Sequence, residues 1–343
     1  MKHASVRAIQ PLCLGSYPTP IRRSTPPDAR GGELWIKDDG GTASLYGGNK
    51  VRKLEYVLAA ARARGARRIL TFGAGGSHHV LATTLYARTV GIATAAVLWP
   101  QPWSAHAEET LRAALGAGLQ AVPVGSRAAA PLGLIRIRAR GDYLVPPGGS
   151  SPTGALGYLR ATRELAQQVR AREAPEPDAI VVPFGSGGTA AGMLAGIVRE
   201  GLKSRVVAVD VAIGSPAGVM LILALARGAL RTDGATEGLS GLARRLTVER
   251  GHLGAGYGHA TAAGAAATEH AGALGLTLDP TYTAKTFAAA LDVVRRSPER
   301  RCCTGTRCCR ARSSRCSPPR HRRCRQNWRR CYRARTSREA YPA

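Results

Sequence analysis

The chain has 343 residues, 44% of them hydrophobic and only 5% aromatic, with a formal net charge of +27. This is enough apolar material for two ordinary α/β domains, and the absence of any apolar run of about 18 residues excludes a helical membrane span. The charge does not make the whole chain a nucleic-acid binder, because residues 300–343 hold 15 arginines against one acid, Glu339, and seven of the eight cysteines. Residues 1–7 show no apolar signal-peptide core, so a cytoplasmic location is expected.

From residue 50 onward the pattern alternates helix and strand. Leu54, Val57, Leu58 and Ala61 fall at helical spacing, with Gly65 as a stop. Residues 69–72 are predicted to be a buried strand, 77–88 a helix, 92–99 a strand, 105–115 a helix and 119–124 a strand. Strands are predicted at 143–145, 180–182 and 205–211, and helices at 154–172 and 188–199. Continuous apolar strands alternating with helices predict open, mostly parallel sheets with helices on both faces. Ligands in such folds sit at the carboxyl ends of the strands, where the turns 73–77, 148–151 and 185–189 fall.

Four segments carry chemistry. Gly185-Ser186-Gly187-Gly188-Thr189 joins a strand to a helix, so its amides and the helix dipole suit a phosphate. A plain glycine-rich connection fits the same letters. Gly47-Gly48-Asn49-Lys50 puts a lysine at a helix start, where its ammonium is disfavoured and its amine is a better nucleophile. A solvated lysine is the bland alternative. In Gly73–His79, Ser77 stands where a helix begins and could simply cap it. His78 and His79 point about 100° apart on a helix, a poor metal pair, so no metal is expected. Asp279-Pro280-Thr281-Tyr282-Thr283 is ordinary helix punctuation, with packing and loop roles open for Tyr282 and Tyr257.

Taken together, these segments resemble the 1-aminocyclopropane-1-carboxylate deaminase and D-cysteine desulfhydrase family, from about Pro18 to Arg296. Lys37-Asp38-Asp39, Gly148-Gly149-Ser150 and Asp-Pro-x-Tyr-Thr-x-Lys add to the match, and the Lys50 segment is the most specific part. The resemblance implies a two-domain tryptophan-synthase-β-like α/β fold, fold type II, with pyridoxal 5'-phosphate as cofactor. It implies a large cofactor domain from residues 1–50 and 159–300 and a small domain from 51–158. It further implies a homodimer and a small amino-acid substrate, with neither a specific nucleic acid nor a membrane as partner. Lys50 is then the lysine bonded to the cofactor aldehyde, and residues 185–189 hold its phosphate. Ser77 faces the substrate carboxylate or acts in proton transfer, the base for the α-proton being either the freed Lys50 or Ser77. Tyr257 and Tyr282 line the substrate face, and Thr283 falls where the family places a partner for the pyridine nitrogen. His78 replaces the family's asparagine at the cofactor's ring oxygen, where an imidazole can donate the same hydrogen bond. Thr283 replaces the glutamate of the cyclopropane-ring deaminases, which favours β-elimination and hence a D-cysteine desulfhydrase-like lyase. Ring deamination in the same scaffold is the alternative, and an inactive or basic nucleic-acid-binding product the rival of another class.

Residues 301–343 depart from the family. An arginine- and cysteine-rich segment is predicted to be disordered, at the cost of the large domain's last strand or helix. A shifted reading frame accounts for it: one codon choice for Cys302–Cys309 gives Val-Leu-Tyr-Trp-His-Thr-Leu-Leu in the neighbouring frame, which resembles the family's segment here. Resequencing the gene tests that origin.

Overall fold

Residues 9–24, 32–102, 104–212, 217–235, 241–296 and 301–305 are described by a computed structural model of the chain. Two strands, β1 (Ile21–Ser24) and β2 (Glu33–Lys37), precede the first helix, α1 (Asn49–Ala63). There follow β3 (Arg68–Ala74), α2 (His78–Thr89), β4 (Ala93–Trp99), α3 (Ala105–Gly116), β5 (Gln120–Pro123), α4 (Ala130–Ile137) and β6 (Asp142–Leu144). The chain continues through α5 (Pro152–Arg170), β7 (Ala179–Phe184), α6 (Gly188–Glu200), β8 (Arg205–Asp210), α7 (Ala217–Thr232) and β9 (Leu246–Glu249). Last come α8 (Ala262–Ala273), α9 (Thr283–Arg296) and β10 (Arg301–Gly305).

The strands form two sheets, one ordered β1-β2-β10-β7-β8-β9 and the other β5-β4-β3-β6. All pairings are parallel except β1 with β2, which adds an antiparallel edge. Every residue of β7 is buried, as a parallel strand covered on both faces requires. Helices α5, α6 and α7 pack on one side of the larger sheet, while α9 and part of α8 pack with Val181, Val207 and Val209 in a second cluster. Helices α1 and α2 pack on the smaller sheet through Val51, Leu54, Leu58, Leu81 and Ile69. Local chemistry sets the helix starts. Ser77, Ser104 and Ser151 each accept the backbone N–H three residues on, at 3.4, 3.2 and 3.0 Å. No helix among the described residues is long and apolar enough to cross a membrane.

One expectation is corrected. Residues 301–305 form a strand rather than a disordered segment, and the larger sheet keeps this central strand. β10 lies between β2 and β7, with Cys302 opposite Leu34 and Ala179 and Cys303 opposite Trp35 and Ile180. Both cysteines are buried, where a thiol packs as a small hydrophobe. Burial pushes the Cys303 thiol up to about 12 and that of Cys302 higher still, so neither is poised as a nucleophile. The expectation of disorder for 306–343 lies outside the described residues.

Candidate active site

Lys50 sits in the first turn of α1. The preceding Gly48 has φ of 98°, a left-handed conformation that favours glycine, and no side chain caps the helix. The Gly48 amide donates to the Asp39 carbonyl at 2.8 Å and to Thr42 Oγ1 at 2.9 Å, which fixes the entry into the helix. The half-buried Lys50 donates from Nζ to Asn49 Oδ1 at 2.8 Å. Its Nζ also lies 5.9 Å from the centre of the Tyr282 ring.

The loop after β7 faces this lysine. Gly187 caps α6 in a left-handed conformation, φ 83°, and has no side chain of its own to cap the helix. A Cβ on Gly185 would stand 3.2 Å from the Tyr282 ring. A Cβ on Gly188 would stand 2.5 Å from Ser150 Oγ, and one on Gly148 would stand 2.1 Å from Ser186 Oγ. Glycine is therefore required where the 148–150 turn meets the 185–189 loop. Ser150 joins the two: its Oγ accepts from the Gly188 N–H at 3.0 Å and lies 2.8 Å from Ser186 Oγ. Asn49 Nδ2 donates to Thr189 Oγ1 at 3.4 Å, linking the lysine segment to the loop.

The tyrosines meet. Tyr282 Oη donates to Tyr257 Oη at 2.9 Å, with the rings edge to face at 5.8 Å. Asp279 organises the start of α9, accepting from the amides of Tyr282 and Thr283 at 2.7 and 3.1 Å. Thr283 Oγ1 donates to Asp279 Oδ2 at 2.8 Å and accepts the Asp279 N–H at 2.7 Å. The hydroxyl expected to meet the pyridine nitrogen is thus engaged with Asp279.

Ser77 caps α2, and its one-turn bond to the Val80 N–H is the local role anticipated for it. Next to it, both nitrogens of the buried His78 are engaged. Nδ1 pairs with the Tyr46 hydroxyl, and Nε2 lies 2.7 Å from Nε2 of His106. The ring expected to meet the cofactor's ring oxygen thus spends its hydrogen bonds on protein partners. His79 lies between the hydroxyls of Thr71 and Thr83, at 3.0 and 3.3 Å. Among the described residues no three His, Cys, Asp or Glu side chains gather as a metal would need.

Burial holds both imidazoles neutral. His78 is pulled down to about 4, with Asp279 opposing and His106 and Lys50 reinforcing. His79 is pulled down to about 3, with Lys50 and Lys53 reinforcing. The unfolded chain takes up these protons near the ordinary 6.5, so stability is lost as the pH falls below 6.5, the loss growing down to about 4 for His78. The unfolding free energy is therefore expected to drop between those pH values, and His78→Asn is expected to make the drop shallower. An unchanged slope in denaturant titrations across that range would contradict this.

Ser150 and Lys53 fall in segments marked in the sequence, but their site contacts, and His106, had no signal there. Lys53 is buried one turn beyond Lys50 and donates from Nζ to the Gly148 carbonyl at 3.2 Å. Burial, with Lys50 adding to it, holds its ammonium well below the ordinary 10.5.

A family model described as pyridoxal-phosphate dependent enzyme matches residues 12–304. Nocardicin C-9' epimerase of Nocardia uniformis subsp. tsuyamanensis is 40% identical over 185 residues, covering 51% of this chain and 56% of that protein. D-cysteine desulfhydrase of Klebsiella pneumoniae (strain 342) is 32% identical over 278 residues, 77% of this chain and 82% of that one. A solved structure of an ACC deaminase homologue superposes with a TM-score of 0.74 at 28% identity, covering 89% of this chain and 94% of that one.

Proposed function

The chain belongs to the pyridoxal-phosphate-dependent enzymes, and from that premise we propose that it is a D-cysteine desulfhydrase-like lyase. The observation that carries the reading is the convergence of Lys50, the 185–189 loop and Tyr257 on the Tyr282 side chain. The donor set fits the cofactor. A helix start whose N-cap is a glycine, flanked by the hydroxyls of Ser186 and Thr189, suits its phosphate, and a Cβ at 148 or 188 would collide with Ser186 or Ser150. In this reading residues 1–50 and 159–300 make the large domain and 51–158 the small one.

When bound, pyridoxal phosphate supplies an electron sink that lets a bond at the substrate α-carbon break. Lys50 would tether it and, as a free amine, would be the base for the substrate α-proton. Ser77, at the start of α2, shares in binding the substrate carboxylate. The Tyr282–Tyr257 hydroxyl pair hands a proton to the departing sulfur. The Cα–H and Cβ–S bonds break, hydrogen sulfide leaves, and water converts the remaining enamine to pyruvate and ammonia. Thr283 bears no charge, and its hydroxyl is committed to Asp279. Such a neutral partner would leave a bound cofactor's pyridine nitrogen less protonated, which would suit β-elimination better than ring opening. The protein is proposed to work as a homodimer in the cytoplasm.

A second reading is inversion at the α-carbon, favoured by the 40% identity to the epimerase over half of the chain. Incubation with D-cysteine, L-cysteine and 1-aminocyclopropane-1-carboxylate in deuterated water separates these readings. Sulfide and pyruvate from D-cysteine are expected. Keto acid from the cyclopropane substrate alone would instead establish the deaminase. Inversion of the cysteine α-carbon with deuterium incorporation and no sulfide would overturn the lyase in favour of inversion.

A further inference from the structure

Lys285 stands on α9, three residues beyond Tyr282, and its side chain is fully buried. A buried ammonium is costly unless it is hydrogen-bonded. Its Nζ donates to the carbonyls of Leu253 and Gly256 at 2.8 and 3.0 Å. Both belong to the segment between β9 and α8 that carries Tyr257. Burial pulls the ammonium below its ordinary 10.5, with Asp279 opposing, so the cation is held by these carbonyls in a partly desolvated place.

The segment is fixed elsewhere mainly at its start, where the Gly251 N–H donates to Glu249 Oε1 at 2.7 Å and His252 Nε2 lies 3.3 Å from Asp292 Oδ2 on α9. Around Tyr257 the backbone bonds are three turns, from Leu253 N–H to Arg250, from Gly256 N–H to Leu253 and from His259 N–H to Gly256, at 3.2, 3.3 and 3.4 Å. Gly254, Gly256 and Gly258 take φ of 61°, 115° and 84°, conformations open mainly to glycine. Three such residues in five give the free loop many alternatives. Yet Tyr257, in their midst, must place its hydroxyl 2.9 Å from that of Tyr282. Tyr282 immediately precedes α9 and Lys285 lies in its first turn. Tyr257 is therefore gripped twice from the start of α9 and the turn before it, by its hydroxyl through Tyr282 and by the carbonyl before it through Lys285.

We propose that Lys285 is a positioning residue that clamps the 250–258 loop and so sets Tyr257 against Tyr282 at the substrate face. This rests on the reading of Tyr257 given above. Two measurements on the full-length, cofactor-loaded chain test it. In hydrogen exchange, Lys285→Met is expected to speed amide exchange across 251–258 by about tenfold or more while peptides from α1 and α6 stay unchanged. In kinetics, Lys285→Met is expected to lower kcat about as much as Tyr257→Phe does, with less than about a twofold further loss when the two are combined. Lys285→Arg, which keeps a buried cation with donors, is expected to recover part of both effects. Unchanged loop exchange would overturn the clamp, and so would losses that multiply in the double variant. Loop exchange that rises while Tyr257→Phe retains full kcat would leave the clamp standing and overturn the catalytic reading of Tyr257. Should Lys285→Met fail to fold, Lys285→Gln carries the same comparisons.

Discussion

Lys50→Ala is expected to leave a folded chain that no longer shows the visible absorbance of lysine-bound cofactor and that loses roughly 10²- to 10⁴-fold or more in turnover. The fold should survive because Lys50 is half-buried and its side-chain hydrogen bond goes to the neighbouring Asn49. Cofactor can still be captured through its phosphate, since the 185–189 loop is held by Ser150 and Asn49 rather than by Lys50. The variant should therefore bind pyridoxal phosphate reversibly, without the covalent tether. Added primary amine should restore part of the lost turnover. The structure also supplies a rival within one helical turn. Lys53 is buried, with an ammonium held well below 10.5, and is thus also chemically suited to attack an aldehyde. Its Nζ, however, is turned to the Gly148 carbonyl and lies near the Tyr158 ring, at 6.0 Å from its centre, whereas Lys50 lies beside Tyr282. Full absorbance and full turnover in Lys50→Ala would move the tether to Lys53.

Arg52→Met is expected to cost about 3–5 kcal/mol of folding stability, the range for breaking a buried ion pair by removing one partner. Two residues past Lys50, the Arg52 guanidinium is 2% exposed. It makes paired bonds to Asp39 at 2.8 and 2.9 Å and bonds to Glu164 at 2.9 and 3.2 Å. Lys37 also pairs with Glu164, and Tyr158 donates to Asp39 at 2.7 Å. The network fastens the start of α1 to the turn after β2 and to α5, where a Cβ on Gly157 would stand 2.1 Å from the Arg52 carbonyl oxygen. Without the guanidinium two buried carboxylates face each other with Lys37 as the remaining cation of the group. Burial alone would raise both carboxyls, but Arg52, with Lys37 adding to it, holds Asp39 and Glu164 below their ordinary 3.8 and 4.5. Their contribution is then full above those values and lost as the pH falls below them. Arg52→Met should flatten this acid limb as well as lower the plateau. A loss under about 1 kcal/mol in denaturant titration would mean the network is energetically neutral.

How legible these features were depended on how local they are. The Lys50 segment and the 185–189 loop could be read because each packs its chemistry into a few adjacent residues between a strand and a helix. The alternating core from β3 to β8 was legible for a related reason, since buried parallel strands are unbroken apolar runs. β10 was hidden because its buried letters, Cys-Cys-Thr, sit in an arginine-rich context that argues for solvent. Pro131 and Gly133 obscured α4, and α8 is largely alanine and glycine without an apolar stripe. The partners that tune the site are far apart in sequence: Ser150 with Ser186, His78 with His106, Lys285 with Gly256. No spacing rule pairs them. Thr283 shows the opposite limit, for its hydroxyl is drawn into the local capping bond with Asp279, which competes with any outward role.

The central claim is that Lys50 is the cofactor lysine, and borohydride reduction of the loaded protein followed by peptide mass mapping tests it most directly. Reduction turns a lysine–cofactor bond into a stable secondary amine that survives digestion. The expected result is a pyridoxyl-phosphate mass increment on Lys50. An increment on Lys53, or none on any peptide from the start of α1, would contradict it.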